Sequence, residues 1–372
     1  MNKSIRIGSL FGIPFYINPS WFLVLALGMF WFGQQFATLP QVNGVTAAFF
    51  GLITSLLLFA SVLAHELGHS LVAIARGIRV KSITLFIFGG LALLEKEAET
   101  PWESFLVAIA GPLVSFILFG IFTLIQTLFP LPLPLFELCL MLALLNLVLG
   151  IFNLIPGLPL DGGNILKAAI WQITGNPNKG LLYASRVGQG FGWLAVAIGI
   201  LAVLGISEYG SIWTLFIGVF LLQNAQRSAQ SALLQDKLEN YTAKDAVIPN
   251  SPIANQGLNL REFVNNYAIG NEKWRKFLVI DDEGKLVGDI ALEDLKTIAT
   301  SLWTETPLRT LVRPVDEIAT IAGDRSLLEV AKLLEGENKQ FTVIGENGVV
   351  LGLLEKSSII NLLAGEAQVK SA

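Results

Sequence analysis

The chain has only two histidines in 372 residues, His65 and His69, and Glu66 lies between them. On a helix, this spacing puts both rings on one face, about one turn apart. Two imidazoles placed this way can hold one zinc ion, and a glutamate beside them can handle a water proton. Hydrolytic zinc takes three protein ligands and keeps a fourth position open, so a third His, Asp, Glu or Cys is needed from elsewhere. No other histidine exists, Cys139 lies inside an apolar run, and Asp161 is the only aspartate before residue 236. The other acids of that part (Glu95, Glu97, Glu99, Glu103, Glu137 and Glu208) fall in connections or near the opposite face. Elimination favours Asp161. Glu66 is then the general base, taking a proton from water and passing it to a leaving amine. Asn153 suits an oxyanion donor, a substrate guide or a polar cap at a helix end.

The elements that must position these groups are apolar. Hydrophobic residues make up 53% of the chain, charged residues 15%, and the mean hydropathy is +0.62. Charged content near ~25% is usual for soluble domains, so the composition predicts a membrane protein. Net charge is −4 and gives no argument for nucleic acid. The single cysteine cannot form an internal disulfide. No signal peptide with a small-residue cleavage site is evident. Long apolar runs fill residues 1–235, and the remainder reads as mixed soluble sequence.

Six membrane spans are expected, near residues 19–36, 45–75, 104–129, 135–152, 188–204 and 211–222. The second holds the histidines, His69 about 10 Å and His65 about 16 Å along the axis from Arg76. The third contains Gly111-Pro112. The fourth ends in a run of helix breakers, Asn153 to Gly163, of the kind that frees backbone groups and lines a water-accessible site. Residues 1–18 read as an extended segment or hairpin at the membrane surface. Residues 79–94, with Gly89-Gly90, read as a strand or hairpin that protein must cover. With six spans, every basic residue before residue 240 falls on one side, and the loops near 37–44, 130–134 and 205–210 have none. The positive-inside rule then puts both termini in the cytosol.

The tail carries an internal repeat at an offset of 64. Lys276–Ile280 through Gly288-Asp289-Ile290 to Asp294 matches Gln340–Ile344 through Gly352-Leu353-Leu354 to Ser358. Thr242 to Pro249 matches Thr306 to Arg313 more weakly. Each unit reads as strand, turn, strand, helix, and two can pack as a pseudo-symmetric α/β module.

His65-Glu-Leu-Gly-His69, Phe88-Gly89-Gly90, Ala110-Gly111-Pro112, and Phe152-Asn153 through Pro156 and Pro159 to Asp161-Gly162 stand in this order. On these motifs, nearly the whole chain resembles the site-2 protease family of intramembrane zinc metalloproteases. The branch it resembles has a cytosolic pair of cystathionine-β-synthase-type (CBS) repeats. The resemblance implies one zinc per chain on His65, His69 and Asp161, Glu66 as catalytic base, and cleavage of transmembrane segments of membrane-bound regulatory proteins. It also implies that Gly89-Gly90 holds an unwound substrate by strand addition. The family's usual Asn after Gly-Pro is Ser115 here, and no role is carried onto it. The expected fold is therefore a six-span all-α membrane domain with a small membrane-edge β segment, residues 1–230. A cytosolic α/β pair of CBS repeats follows at 231–372, with repeats at about 242–300 and 306–365. Such modules often bind adenine nucleotides and dimerise. Asp294 matches their ribose-contacting Asp, whereas Ala291, Glu355 and Ser358 depart from the pattern. A CBS-regulated transporter and an inactive membrane scaffold are the alternatives from other classes.

Overall fold

The chain enters through a hairpin, β1 (Ile5–Leu10) and β2 (Ile13–Ile17), turning at Phe11 and Gly12, both in the left-handed region. β2 pairs in parallel with β3 (Val80–Phe86), matching Phe15 to Ile83, and β3 pairs antiparallel with β4 (Gly89–Leu94). The result is one four-stranded sheet, ordered β1-β2-β3-β4, with β4 at an edge. Of the alternatives open for the two segments, an extended stretch or a hairpin, both take the hairpin. Their joining into a single sheet depends on pairing between distant residues, which local patterning does not record. The structure is a computed structural model that describes residues 4–87, 89–248, 251–269, 274, 276–315, 318–335 and 340–369. Phe88 lies outside the described residues.

Among the described residues, five helices are long and apolar enough to cross a membrane. They are α1 (Ser20–Ala37), α2 (Gly44–Ala75), α3 (Pro101–Leu128), α4 (Leu133–Asn153) and α6 (Pro177–Val203). Asn43 caps α2 by accepting the Thr46 N–H at 2.8 Å, and left-handed Gly77 stops the chain just past its end. Thr100 caps α3, and Pro101 starts it. Leu113, Ile117, Ile121 and Leu124 of α3 are exposed, while Ala108, Gly111 and Ser115 are buried. This is the reverse of a soluble amphipathic helix and suits a lipid surround.

The expected span near 211–222 lies in α7 (Ile212–Glu239), which does not meet the same criterion. Its apolar part, Ile212 to Leu222, gives about 16 Å of rise against a bilayer core of about 30 Å, and Gln223, Asn224, Gln226 and Arg227 follow. α6 begins eleven residues before the span expected at 188–204. A further helix, α5 (Asp161–Thr174), starts inside the run of helix breakers and continues through residues to which the sequence assigns no element.

The chain divides into two compact units, Met1–Leu233 and Leu234–Ala372. In the second, the hairpin of β6 (Lys276–Ile280) and β7 (Leu286–Ala291) recurs as β10 (Phe341–Ile344) and β11 (Val350–Leu354). The register shift between Val279 and Ile280 recurs between Val343 and Ile344, and left-handed Gly284 recurs as Gly348. Short strands β5 (Ile253–Asn255) and β9 (Thr320–Ala322) add in parallel to each, and β8 (Arg313–Pro314) completes the first sheet. Helices α8 (Leu260–Phe263), α9 (Leu327–Glu335) and α10 (Lys356–Val369) complete the unit. Two cores form, one around Phe263, Phe277 and Ile290, the other around Leu327, Val343 and Leu354. Each takes in the segment that opens the other repeat: Leu308 packs in the first, Ala243 and Ala246 in the second.

Candidate metal centre

α2 presents His65, Glu66 and His69 near its C-terminal end, and Gly68 lets α3 come close to it. A Cβ at Gly68 would meet Val114 Cγ2 at 2.8 Å and the Ala110 carbonyl oxygen at 2.9 Å. Gly111 of α3 faces the rings, where a Cβ would overlap Nε2 of both histidines. The missing side chain leaves the space in front of them open. After α4 the chain turns back through residues 154–160, including a cis Leu158–Pro159 peptide, and α5 begins on Asp161. Gly162 and Gly163 seat the first turn of α5 directly on the Leu154–Leu158 backbone, where any side chain would collide. This packing aims the Asp161 carboxylate at α2.

Three donor atoms converge there. His65 Nε2 lies 3.0 Å and His69 Nε2 3.3 Å from Asp161 Oδ2, and the two Nε2 atoms are 3.3 Å apart. Ligand atoms around a tetrahedral zinc at ~2.0–2.1 Å stand roughly 3.3–3.4 Å from one another, so this donor set fits the ion in both chemistry and spacing. Among the described residues, this trio is the one group of three or more His, Cys, Asp or Glu side chains close enough to share a metal.

Each ring is held from behind. His69 Nδ1 lies 2.6 Å from the Val107 carbonyl oxygen, an acceptor only, so Nδ1 donates, and in the neutral ring Nε2 keeps its lone pair. His65 Nδ1 lies 2.9 Å from Ser115 Oγ. Sequence reasoning gave Ser115 no part in the site. The available signal was its i+4 spacing from Gly111, which puts both on one face of α3. Glu66 abuts β4: a Cβ on Gly90 would meet its Oε1 at 2.9 Å. Gly89 opens the same strand with φ +133°.

Other expected site residues are engaged elsewhere. Asn153 ends α4, and its amide donates to the Leu149 carbonyl at 3.0 Å. Earlier on the same helix, Asn146, to which the sequence analysis gave no role, is buried and donates to Ser61 Oγ at 3.1 Å, tying α4 to α2. In the tail, Asp294 Oδ2 accepts the Ala291 N–H at 2.9 Å and lies 3.8 Å from Arg313. Ser358 repeats the first contact, accepting the Glu355 N–H at 3.1 Å, so both matched positions cap a turn.

Helices of membrane-crossing length around a two-histidine, one-carboxylate centre with an adjacent glutamate define a membrane-embedded metalloprotease. The profile of peptidase family M50 matches residues 53–133 and 131–195. A Synechocystis protein named as zinc metalloprotease sll0528 is 57% identical over 368 residues, 99% of this chain and 97% of its own. A Mycobacterium tuberculosis protein named as zinc metalloprotease Rip3 is 28% identical over 98% of this chain and 93% of its own. The solved site-2 protease from Methanocaldococcus jannaschii aligns at 28% identity and a TM-score of 0.45, over 61% of this chain and 95% of that one. The CBS domain of a bacterial CNNM/CorC family Mg2+ transporter in complex with ATP aligns over 36% of this chain and 93% of its own, at 14% identity and a TM-score of 0.29. This chain belongs to peptidase family M50.

Proposed function

We propose that this protein is an intramembrane zinc endopeptidase that cleaves transmembrane segments of membrane-bound regulatory proteins. The convergence of His65 Nε2, His69 Nε2 and Asp161 Oδ2 beside Glu66 carries this reading. Those three side chains would hold one zinc per chain. When bound, zinc supplies Lewis acidity, polarising a peptide carbonyl and lowering the pKa of water toward ~7. Glu66 takes a proton from the attacking water and delivers it to the amide nitrogen as the C–N bond breaks. A peptide must leave its helix before its carbonyl can reach this centre. β4 is an edge strand whose Gly90 abuts Glu66, so an extended substrate stretch pairing with Gly89 and Gly90 would lie beside the base. The substrate-guiding role of Asn153 is part of the same proposal.

The membrane part, residues 1–230, crosses six times on this reading, α7 included, with both termini in the cytosol. The tail, 231–372, acts as a pair of CBS-type repeats for regulation or homodimerisation. Asp294 is the candidate contact for an adenine nucleotide, and its Oδ2 also accepts the Ala291 N–H. Membership in a peptidase family argues against the transporter and scaffold alternatives.

The deciding experiment uses full-length protein in proteoliposomes with a transmembrane substrate carrying helix breakers near its cytosolic end. Wild type should retain zinc and cleave it. Glu66→Gln should retain zinc and not cleave. Cleavage at the wild-type rate by that variant would end the mechanism.

A further inference from the structure

Ligation of zinc through Nε2 puts the imidazole proton on Nδ1, and a buried Nδ1–H needs an acceptor behind it. For His69 the acceptor is main chain, the Val107 carbonyl. For His65 it is a side chain, Ser115 Oγ, and both residues are buried, 4% and 0% exposed. Ser115 also behaves unlike four other buried hydroxyls of the spanning helices. Thr54, Ser55, Ser61 and Ser185 each donate to the carbonyl four residues earlier in their own helix. The Ser115 hydroxyl instead faces a ring on another helix. Gly68 makes that reach short, because it brings the α2 and α3 backbones together one turn from His65.

We infer that Ser115 is a positioning residue for the metal centre. Its hydroxyl accepts the His65 Nδ1 proton, which fixes the tautomer with Nε2 free. It also holds the ring so that Nε2 points at His69 and Asp161. This rests on the zinc reading above. Loss of such a partner typically weakens metal affinity about 10–100-fold. An asparagine at this position also offers an acceptor oxygen, so Ser115→Asn should restore what Ser115→Ala removes.

The test titrates zinc into chelator-stripped, full-length protein in detergent against a competing metal dye. Ser115→Ala should bind zinc about 10–100-fold more weakly. Ser115→Asn should return to within a few-fold of wild type. Ser55→Ala removes a buried hydroxyl about 15 Å of helix rise from His65 and should leave affinity unchanged. A second readout uses the fact that the chain has only two histidines. Nitrogen NMR of imidazole-labelled, zinc-loaded protein should show Nδ1–H on both rings. Ser115→Ala should shift the His65 signal alone. Wild-type affinity with unshifted ring signals in Ser115→Ala would overturn the inference, and so would an equal loss in Ser55→Ala. If wild type takes up no zinc, the metal reading falls and this inference with it. If wild type binds zinc and Ser115→Ala is indifferent, only this inference falls.

Discussion

Gly111 separates metal binding from helix stability at a single position. Alanine there improves the intrinsic helix preference of α3 by roughly 0.5–1 kcal/mol, so the helix itself has no reason to unfold. Its Cβ, however, would overlap Nε2 of both His65 and His69. Gly111→Ala should therefore give folded, membrane-inserted protein that purifies with far less than one zinc per chain by elemental analysis. Asp161→Asn makes the complementary cut. It keeps the shape of the side chain and loses the anionic oxygen that faces the two rings at 3.0 and 3.3 Å. Zinc affinity should fall by at least tenfold in a competition titration, while circular dichroism stays unchanged. The candidate ligands were legible in the sequence because polar groups are costly in an apolar run, so His65, His69 and Asp161 stood out. Val107 did not, and Gly111 and Ser115 stood out only as motif positions with no part in the site assigned to them. A serine, a main-chain carbonyl and a glycine carry no chemical signature until the helices are packed.

At the scale of elements, the hinge between α4 and α5 decides whether the centre exists. The sequence showed that α4 must break, but not that a new helix starts on Asp161. Leu160 caps α5 without a side-chain hydrogen bond, and two glycines fill the first turn, all against the usual signals of a helix start. Those glycines answer a packing demand. A Cβ on Gly162 would run into the Leu154 and Ile155 carbonyl oxygens, and one on Gly163 into the Gly157–Leu158 backbone. Gly162→Ala should cost about 1–3 kcal/mol of overpacking and tilt the first turn of α5 away from α2. Because Asp161 moves with that turn, zinc affinity should drop, although no ligand has been changed and the α2 pair is intact. Thermal melting and zinc titration of the same preparation check both halves. Wild-type affinity in a measurably less stable variant would mean that Asp161 is placed by something other than this hinge.

At the scale of the whole molecule, the sequence announced what depends on local pattern and hid what depends on distant partners. Five apolar helices and the 64-residue repeat were legible, since hydropathy and repetition are properties of continuous segments. The parallel pairing of Phe15 with Ile83, and the exchange of Leu308 and Ala243 between the two tail cores, join residues far apart and left no local trace. α7 lies between these cases. Its apolar half is short for a bilayer core of about 30 Å, yet the rest of the helix is amide-rich rather than heavily charged, with Arg227 its first charge. The basic residues supply an argument that length does not. If α7 crosses, Arg227 and Lys237 join Arg76, Arg79 and Lys96 on one side, and the loops at 37–44 and 205–210 keep none on the other. If it does not cross, the last basic residues lie on the side opposite to the rest, against the rule. Cys139 is the chain's one cysteine and is buried in α4, so a Cys139→Ala background allows single reporters. In intact cells, Thr38→Cys and Ser207→Cys should react with an impermeant maleimide. Glu99→Cys and Asn240→Cys should react only after the membrane is opened. Labelling of Asn240→Cys in intact cells would place the C-terminus outside and reduce the membrane part to five crossings.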